Sequence, residues 1–262
     1  MEKPTHMDRR SAIATMGALG VVHTLVPARA RGQQRKADGF ALVGASTPFE
    51  VVKTALDANI VKGLGLAIDF TGDPKQMTSL EGYRLLITLH YGPLTGDQQK
   101  MIQDFVKNGG GALFLHNSTD MAKAKGTETF RDVIGGYWLQ HTEIRPYRTK
   151  ITNRSHPITK GVKDFLTTGE HHYNQYDKDP RHVFMINESM DGWAYNNLGG
   201  DPHFDKRIGE KGFGPTAWAG WAYDYGRGRV CFMAPGHTYE ELVHPEYVKL
   251  QKNAVRWCLK EI

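Results

Sequence analysis

The stretch GGALFLHNSTD, residues 110–120, decides the fold class of this chain. Its apolar part, Ala112 to Leu115, has the length and composition of a buried strand, and this strand runs through a histidine into a polar turn. Strand–turn–helix junctions of this kind are where α/β enzymes place reactive side chains. The junction offers His116, Asn117 and Ser118, but no Gly-x-Ser-x-Gly surrounds the serine, which disfavours a serine hydrolase.

Strands and helices alternate along the first half of the chain. Segments 40–46 (FALVGAS), 64–72 (LGLAIDFTG) and 83–92 (YRLLITLHYG) predict strands, and segments 48–63 and 94–110 have helical spacing. Further strands are predicted at 147–153 and 182–189, a hairpin at 216–237 and a closing helix at 244–262. This order predicts an α/β protein with a doubly wound, mostly parallel sheet, whose ligand site lies at the carboxyl ends of the strands.

The first thirty residues have the three parts of a secretory signal. Paired arginines (Arg9, Arg10) precede an apolar run from Ala12 to Val26, and Ala28-Arg29-Ala30 is a small-x-small cleavage site. The paired arginines favour the twin-arginine route. We therefore expect residues 1–30 to be a cleaved signal, 31–38 a polar linker and 39–262 one domain of a soluble protein in the periplasm or outside the cell. No later segment is long and apolar enough to span a membrane.

Composition excludes several classes of partner. Removal of residues 1–30 takes away four basic and two acidic side chains, so the formal net charge falls from +5 to +3, and no Lys/Arg block remains to bind nucleic acid. The run Gly226 to Arg229 lacks P-loop spacing, so no nucleotide is expected. Cys231 and Cys258 have no CxxC spacing and are predicted to be buried thiols.

Six motifs occur in an order that resembles the ThuA-like (trehalose utilisation) family of the class I glutamine amidotransferase-like superfamily. They are GGGALFLHNS (109–118), FRDVIGGYWLQH (130–141), SHPITKGV (155–162), EHHY (170–173), PTAWAGWAYDYGRGRVCFMAPGH (215–237) and RWCL (256–259). The resemblance covers about residues 39–262 and implies a flavodoxin-like doubly wound sheet with additional β-hairpin structure. The amidotransferase cysteine would fall near His116-Asn117, where this chain has none, so glutamine hydrolysis through a thiolate is not expected.

Four residues stand at the ends of these motifs: His116, His141, Glu170 and His237. Neutral imidazole and carboxylate are good ligands for divalent transition metals. The resemblance implies that His116, His141 and His237 hold Zn, Ni, Fe or Mn. In the alternative interpretation, these histidines bind substrate oxygens or act as acid–base groups without a metal.

The segment Glu170-His171-His172-Tyr173 concentrates acid–base groups. If it is extended, Glu170 and His172 share one face, and His171 and Tyr173 share the other. We predict a catalytic role for Glu170, His116, His172 and Tyr173. Substrate contacts are predicted for Asn117 and His141 and, in the Gly/Asn/Asp-rich stretch 191–214, for Trp193 and Tyr195.

The resemblance implies a sugar-processing protein, and the sequence leaves its reaction open. The leading hypothesis is an exported enzyme that acts on a sugar or glycoside, including a 3-keto sugar. Its reaction would be an isomerisation, an elimination or a hydrolysis. The rival is a non-catalytic carbohydrate-binding protein on the same fold. Both hypotheses expect a small carbohydrate as the partner, and neither predicts an oligomeric state.

Overall fold

The computed structural model describes residues 37–190 and 215–262, which form nine strands in one sheet with accompanying helices. All of them belong to one compact unit, Lys36–Ile262. The expected signal peptide, linker residues 31–36, Trp193 and Tyr195 lie outside the described residues.

Half of the sheet is parallel. It contains β1 (Gly39–Val43), β2 (Ile68–Thr71), β3 (Leu85–Leu89), β4 (Gly111–Leu115) and β9 (Gly228–Met233), in the order β2-β1-β3-β4-β9. Every residue of β1, β3 and β4 is buried, as expected for central parallel strands that are covered on both faces. This order is that of a flavodoxin-like sheet, with β9 as the fifth strand, and it confirms the predicted fold class.

The other half of the sheet is antiparallel and is larger than the single predicted hairpin. From β9 the sheet continues through β8 (Thr216–Tyr225), β7 (Val183–Ser189), β5 (Gly136–Ile151) and β6 (Phe165–Tyr176). The end of the motif at 130–141 and most of the predicted strand at 147–153 belong to the same long strand, β5. The turn between β8 and β9 lies at Gly226, whose φ of 61° suits glycine, as the hairpin prediction requires.

Five α-helices connect these strands within the described residues. They are α1 (Phe49–Leu56, continued by a π-helical segment Asp57–Lys62), α2 (Gly96–Lys107), α3 (Glu128–Ile134), α4 (Tyr239–Val243) and α5 (Pro245–Cys258). A capping box formed by Thr95 and Gln98 begins α2, and Gly135 in the left-handed conformation ends α3. None of these helices is long and apolar enough to cross a membrane.

The topology brings several chain segments to one edge of the sheet. The carboxyl ends of the parallel strands lead into residues 44–46 after β1, His90 after β3, His116 after β4 and residues 234–237 after β9. His90 serves its own turn, since its Nδ1 accepts a hydrogen bond of 3.0 Å from the Gly92 amide. Cys231 and Cys258 are buried and unbonded, as predicted.

Candidate active site

His116 occupies a strained position at the end of β4. Its φ of +47° lies in the left-handed region, which is uncommon for a residue other than glycine and is typical of functional turns. Its ring is buried, and Nδ1 lies 2.9 Å from the Ala234 carbonyl oxygen. A carbonyl only accepts, so Nδ1 carries the proton and Nε2 of the neutral ring presents a lone pair. Gly236 lets this ring fit, since a Cβ at Gly236 would lie 3.0 Å from the His116 Cβ.

The carboxylate of Glu170 lies at the centre of four imidazoles. Its Oε2 is 3.0 Å from His237 Nδ1, 3.3 Å from His172 Nε2 and 3.4 Å from His116 Nε2. Its Oε1 is 3.7 Å from His141 Nδ1. The four residues at the motif ends, His116, His141, Glu170 and His237, therefore lie together, with His172 added to them.

Two strands of the antiparallel half supply this carboxylate and two of the imidazoles. Strand β6 carries Glu170 and His172, and β5 carries His141, which pairs with His172 in the ladder. The register shifts on both sides of His141, between Trp138 and Gln140 and between His141 and Ile144. Such bulges turn side chains away from the regular alternation, and they often lie beside active sites.

The charges of the cluster are strongly coupled. Although burial opposes ionisation of Glu170, the imidazoles of His116, His172 and His237 hold the pKa of its carboxyl far below its usual value. Burial opposes protonation of His116, but the carboxylates of Glu170 and Glu241 outweigh it and raise its pKa. Burial and the neighbouring His116 hold the pKa of His172 well below its ordinary value. Glu170 is therefore an anion and His172 a neutral ring at physiological pH.

Three of these residues have the geometry of a metal-binding group. One ligand atom from each of His116, Glu170 and His237 lies within 4.8 Å of the other two. Ligands bound to Zn at about 2.1 Å lie roughly 3–3.5 Å apart, and Glu170 Oε2 lies 3.4 Å from His116 Nε2 and 3.0 Å from His237 Nδ1. His116 Nε2 and His237 Nδ1 have no hydrogen-bond partner, so each can act as a metal ligand when it carries no proton. His141, a predicted ligand, is not in the group, since its Nδ1 lies 2.8 Å from the Thr142 carbonyl.

A pocket of about 440 Å³ opens beside the cluster, within the size range of small-molecule sites. It is lined by Ser46, Tyr91, Asn117, Asp120, Lys123, Trp138, His141, Glu170 and His172. Asn117 donates a hydrogen bond of 2.8 Å to the Ser46 hydroxyl, and the ammonium of Lys123 lies 4.0 Å from the centre of the Trp138 ring. The pocket thus combines hydrogen-bonding groups with an aromatic wall.

Tyr173 does not reach this pocket. It stacks on His171 with ring centres 4.6 Å apart and lines a separate cavity of about 370 Å³ with Trp218. Glu170 and His172 share one face of β6, as the alternation predicts, and Tyr173 lies with His171 on the other. The structure therefore separates Tyr173 from the other predicted catalytic residues, Glu170, His116 and His172.

Asp120 is a pocket residue that the sequence motifs did not indicate. Its Oδ1 is shielded from solvent and has no hydrogen-bond partner. Burial is the main cause that raises the pKa of this carboxyl to about 7. Its position in the polar turn, four residues after His116, was the available signal.

Glu241 is a second missed residue, and it supports His237 from behind. Its buried Oε2 accepts hydrogen bonds from the backbone amides of Gly236, His237 and Thr238 at 3.2, 2.7 and 3.2 Å. Its Oε1 accepts one from the Tyr147 hydroxyl. The sequence signal was the T-x-x-E pattern of a capping box at Thr238, which begins α4.

Fold and site together define a flavodoxin-like α/β domain of the class I glutamine amidotransferase-like superfamily, with histidine and no cysteine at the end of β4. The model of the ThuA family, described as trehalose utilisation, matches residues 35–258, and the chain belongs to this family. No curated protein matches the chain significantly.

Solved structures show the same fold. A ThuA-like protein from Parabacteroides merdae has a TM-score of 0.66 at 16% identity, over 86% of this chain and 91% of that chain. A ThuA-like protein from Bacteroides uniformis has a TM-score of 0.59 at 20% identity, over 84% of this chain and 90% of that chain. A β-galactosidase from Rahnella sp. R3 contains a similar domain, with a TM-score of 0.54 at 14% identity, over 86% of this chain and 31% of that chain.

Proposed function

We propose that this protein is an exported, metal-dependent enzyme that acts on a sugar or glycoside in its keto form. One observation carries the proposal: two imidazole nitrogens without hydrogen bonds face one carboxylate oxygen beside a pocket. Membership of a family described as trehalose utilisation supports a carbohydrate as the ligand.

The position of the proton on His116 favours a cation between this ring and Glu170. Because Nδ1 donates to the Ala234 carbonyl, Nε2 of the neutral ring points a lone pair at the Glu170 carboxylate 3.4 Å away. Two electron-rich atoms at this distance repel each other unless a cation, either a proton or a metal ion, lies between them. The donor set of two imidazoles and a carboxylate suits Zn, Ni, Fe or Mn.

The residues of the chain have distinct tasks in this proposal. His116, Glu170 and His237 would hold the metal, which when bound supplies an electrophile that polarises a sugar carbonyl. Glu170 remains ionised and offsets the positive charge, which makes it a poor proton donor. Asn117 and His141 would bind sugar hydroxyls, and the Trp138 ring would pack against the C–H face of a pyranose.

Export is a separate part of the proposal, and it rests on the paired arginines and the cleavage site. With Arg9 and Arg10 both replaced by lysine, we expect the uncleaved precursor to remain in the cytoplasm, whereas the wild type is processed near Ala30. Unchanged processing of the double variant would exclude the twin-arginine route. N-terminal sequencing of the protein from each cell fraction gives the result.

The decisive experiment measures metal content and turnover together. Mature protein purified without chelator should contain about one transition metal per chain by plasma mass spectrometry, and His237→Ala should lose it. His141→Ala should retain it, as should His182→Ala, a control outside the cluster. A folded wild type without stoichiometric metal would overturn the metal proposal.

Turnover distinguishes the enzyme from a carbohydrate-binding protein. The substrates are trehalose, methyl α-D-glucopyranoside and their 3-keto derivatives, with products identified by mass spectrometry. The binding alternative is favoured by the aromatic lining of Trp138 and by Tyr91, whose ring is half exposed at the pocket. Saturable binding of a sugar without any product would support that alternative and reject the enzyme.

A further inference from the structure

We propose that Asp120 is the proton-transfer group of this pocket, the side chain that takes a proton from the bound sugar and returns it. This inference rests on the proposed function, and it assigns the acid–base role to a residue other than Glu170.

The two carboxylates that line the pocket differ in their surroundings. Both oxygens of Glu170 face imidazoles, at 3.0–3.7 Å, so neither is free to approach a substrate C–H bond. Asp120 Oδ1 has no hydrogen-bond partner and is shielded from solvent. A buried polar atom without a partner is costly and requires an explanation. A substrate that fills the pocket would supply the missing partner.

Asp120 is also placed with the rest of the site by local structure. It belongs to the 3-10 turn His116–Ala122 that begins where β4 ends, so the turn that positions the His116 ring also positions this carboxyl. The turn is anchored by Ser118, whose hydroxyl donates to the Thr88 carbonyl at 2.9 Å, and by Thr119, which donates to Asn174 Oδ1 at 2.9 Å. Asp120 is therefore carried by a fixed element, as acid–base groups require.

The charges around Asp120 tune it for exchange near neutral pH. Burial is the main cause that raises the pKa of its carboxyl to about 7. The negative charge of Glu170 also raises this pKa, whereas His116 and Lys123 lower it. His141 and His172 are the other titratable imidazoles of the pocket lining. A carboxyl that is half protonated at neutral pH both accepts and donates protons efficiently.

The chemical step that follows balances without an added oxidant or reductant. The Asp120 carboxylate takes the proton from the carbon next to the ketone of a 3-keto glycoside. The C–H electron pair forms the C=C bond, and the carbonyl π pair moves onto the ketone oxygen. Return of the proton to carbon gives exchange or isomerisation. Elimination follows instead when the ketone C=O bond re-forms, the C=C pair moves to make a C1=C2 bond, and the C1–O pair leaves with the glycosidic oxygen, which takes the proton from Asp120 and departs as the alcohol.

The test compares Asp120→Asn with wild type and with Asp104→Asn, a matched control in an exposed ion pair on α2. In D₂O, wild type should exchange the proton next to the ketone of methyl 3-keto-α-D-glucopyranoside, followed by NMR. Asp120→Asn should exchange it about 10²–10⁴-fold more slowly. Its metal content should remain that of wild type. Difference infrared spectra should show a carboxyl in wild type and Asp104→Asn that titrates near pH 7 and is missing in Asp120→Asn.

The outcomes separate the two proposals. If Asp120→Asn exchanges at the wild-type rate, or if its removal takes away no carboxyl that titrates near pH 7, the assignment of Asp120 is wrong while the proposed function stands. If wild type exchanges no proton in any 3-keto probe, the keto-sugar enzyme itself is rejected, and the role of Asp120 with it. A folded Asp120→Asn that has lost its metal would show a structural role and also overturn the assignment.

Discussion

Glu241 Oε2 accepts hydrogen bonds from three consecutive backbone amides, and the shortest, at 2.7 Å, comes from His237. A buried carboxylate thereby fixes the loop that carries a residue of the imidazole cluster. Glu241 thereby connects the two halves of the sheet. The loop of His237 follows the parallel strand β9, and Tyr147, whose hydroxyl also donates to Glu241, lies on the antiparallel strand β5.

Replacement of Glu241 by glutamine should destabilise the protein and loosen His237. The amide oxygen can accept from some of these donors, but its NH₂ group faces others, so we expect a loss of about 1–3 kcal/mol in the free energy of unfolding. Urea denaturation measures it. Glu240→Gln, at the exposed neighbouring position, is the control and should change stability by less than about 0.5 kcal/mol. Equal effects of the two variants would contradict the role of Glu241.

Gly169 should tolerate no side chain, because a Cβ there would overlap the Glu241 carboxylate. Gly169→Ala is expected to destabilise the protein by about 1–3 kcal/mol, as overpacking does. Gly96→Ala is the matched control, since a Cβ at this first residue of α2 meets no atom within 4 Å, and it should be neutral or stabilising. Thermal unfolding of both variants gives the comparison. A neutral Gly169→Ala would mean that the Glu241 network can move without cost.

Acid should weaken the fold partly through His171. Burial lowers the pKa of this imidazole from 6.5 to about 4. Below pH 6.5 the unfolded chain therefore binds a proton that the folded chain does not, so the free energy of unfolding falls with decreasing pH until about pH 4. The loss from this group is at most about 3 kcal/mol.

Replacement of the His171 imidazole by a group that does not titrate should make the free energy of unfolding less dependent on pH. His171 packs between the rings of Tyr147 and Tyr173, so His171→Phe retains an aromatic ring there. We expect a smaller decrease in stability between pH 7 and pH 4.5, measured by denaturant titrations at each pH. Phe184→Leu, a core change without a titrating group, should lower stability without changing this slope. If the stability of His171→Phe decreased between pH 7 and pH 4.5 as much as that of wild type, groups other than His171 would be responsible for the loss in acid.

The parallel half of the fold was predictable because its signals are local. Apolar runs such as that before His116 and capped helices such as α2 identify themselves within short windows. Strand β6 was not predicted, because its polar sequence around Glu170 becomes a strand only by pairing with β5. Glu170 approaches His141 beside a register shift in that pairing, which short sequence windows do not reveal.

The site was predictable by residue type and not by environment. Histidine and glutamate at motif ends suggested a cluster, and the structure brings His116, Glu170 and His237 together. The role of Asp120 was not predictable from the sequence, because its raised pKa comes mainly from burial, which tertiary packing determines. Tyr173 was included because it adjoins Glu170 in sequence, although alternation along β6 turns it to the other face.

If the proposed metal binds at His116, Glu170 and His237, its binding should release protons, because the neighbouring carboxylates favour the protonated form of the His116 ring. The neighbouring carboxylates of Glu170 and Glu241 raise the pKa of His116, so in mildly acidic solution the metal-free protein holds a second proton on this ring more strongly than a free imidazole would. A metal ligand must give up that proton, so Zn²⁺ binding at pH 6.0 should release about one proton or more, and the apparent affinity should rise with pH. At pH 9 the release should be smaller. Calorimetric titrations in two buffers of different ionisation enthalpy measure the number released.

Mutation of Glu170 tests whether its negative charge causes this proton release. Glu170→Gln removes the charge that helps to keep His116 protonated, so the variant should bind Zn²⁺ more weakly and release fewer protons at pH 6.0. His141→Ala, which leaves the group of His116, Glu170 and His237 intact, should release as many protons as wild type. Tight Zn²⁺ binding with no proton release at pH 6.0 would show that the ion does not displace the proton of His116, and that it binds elsewhere.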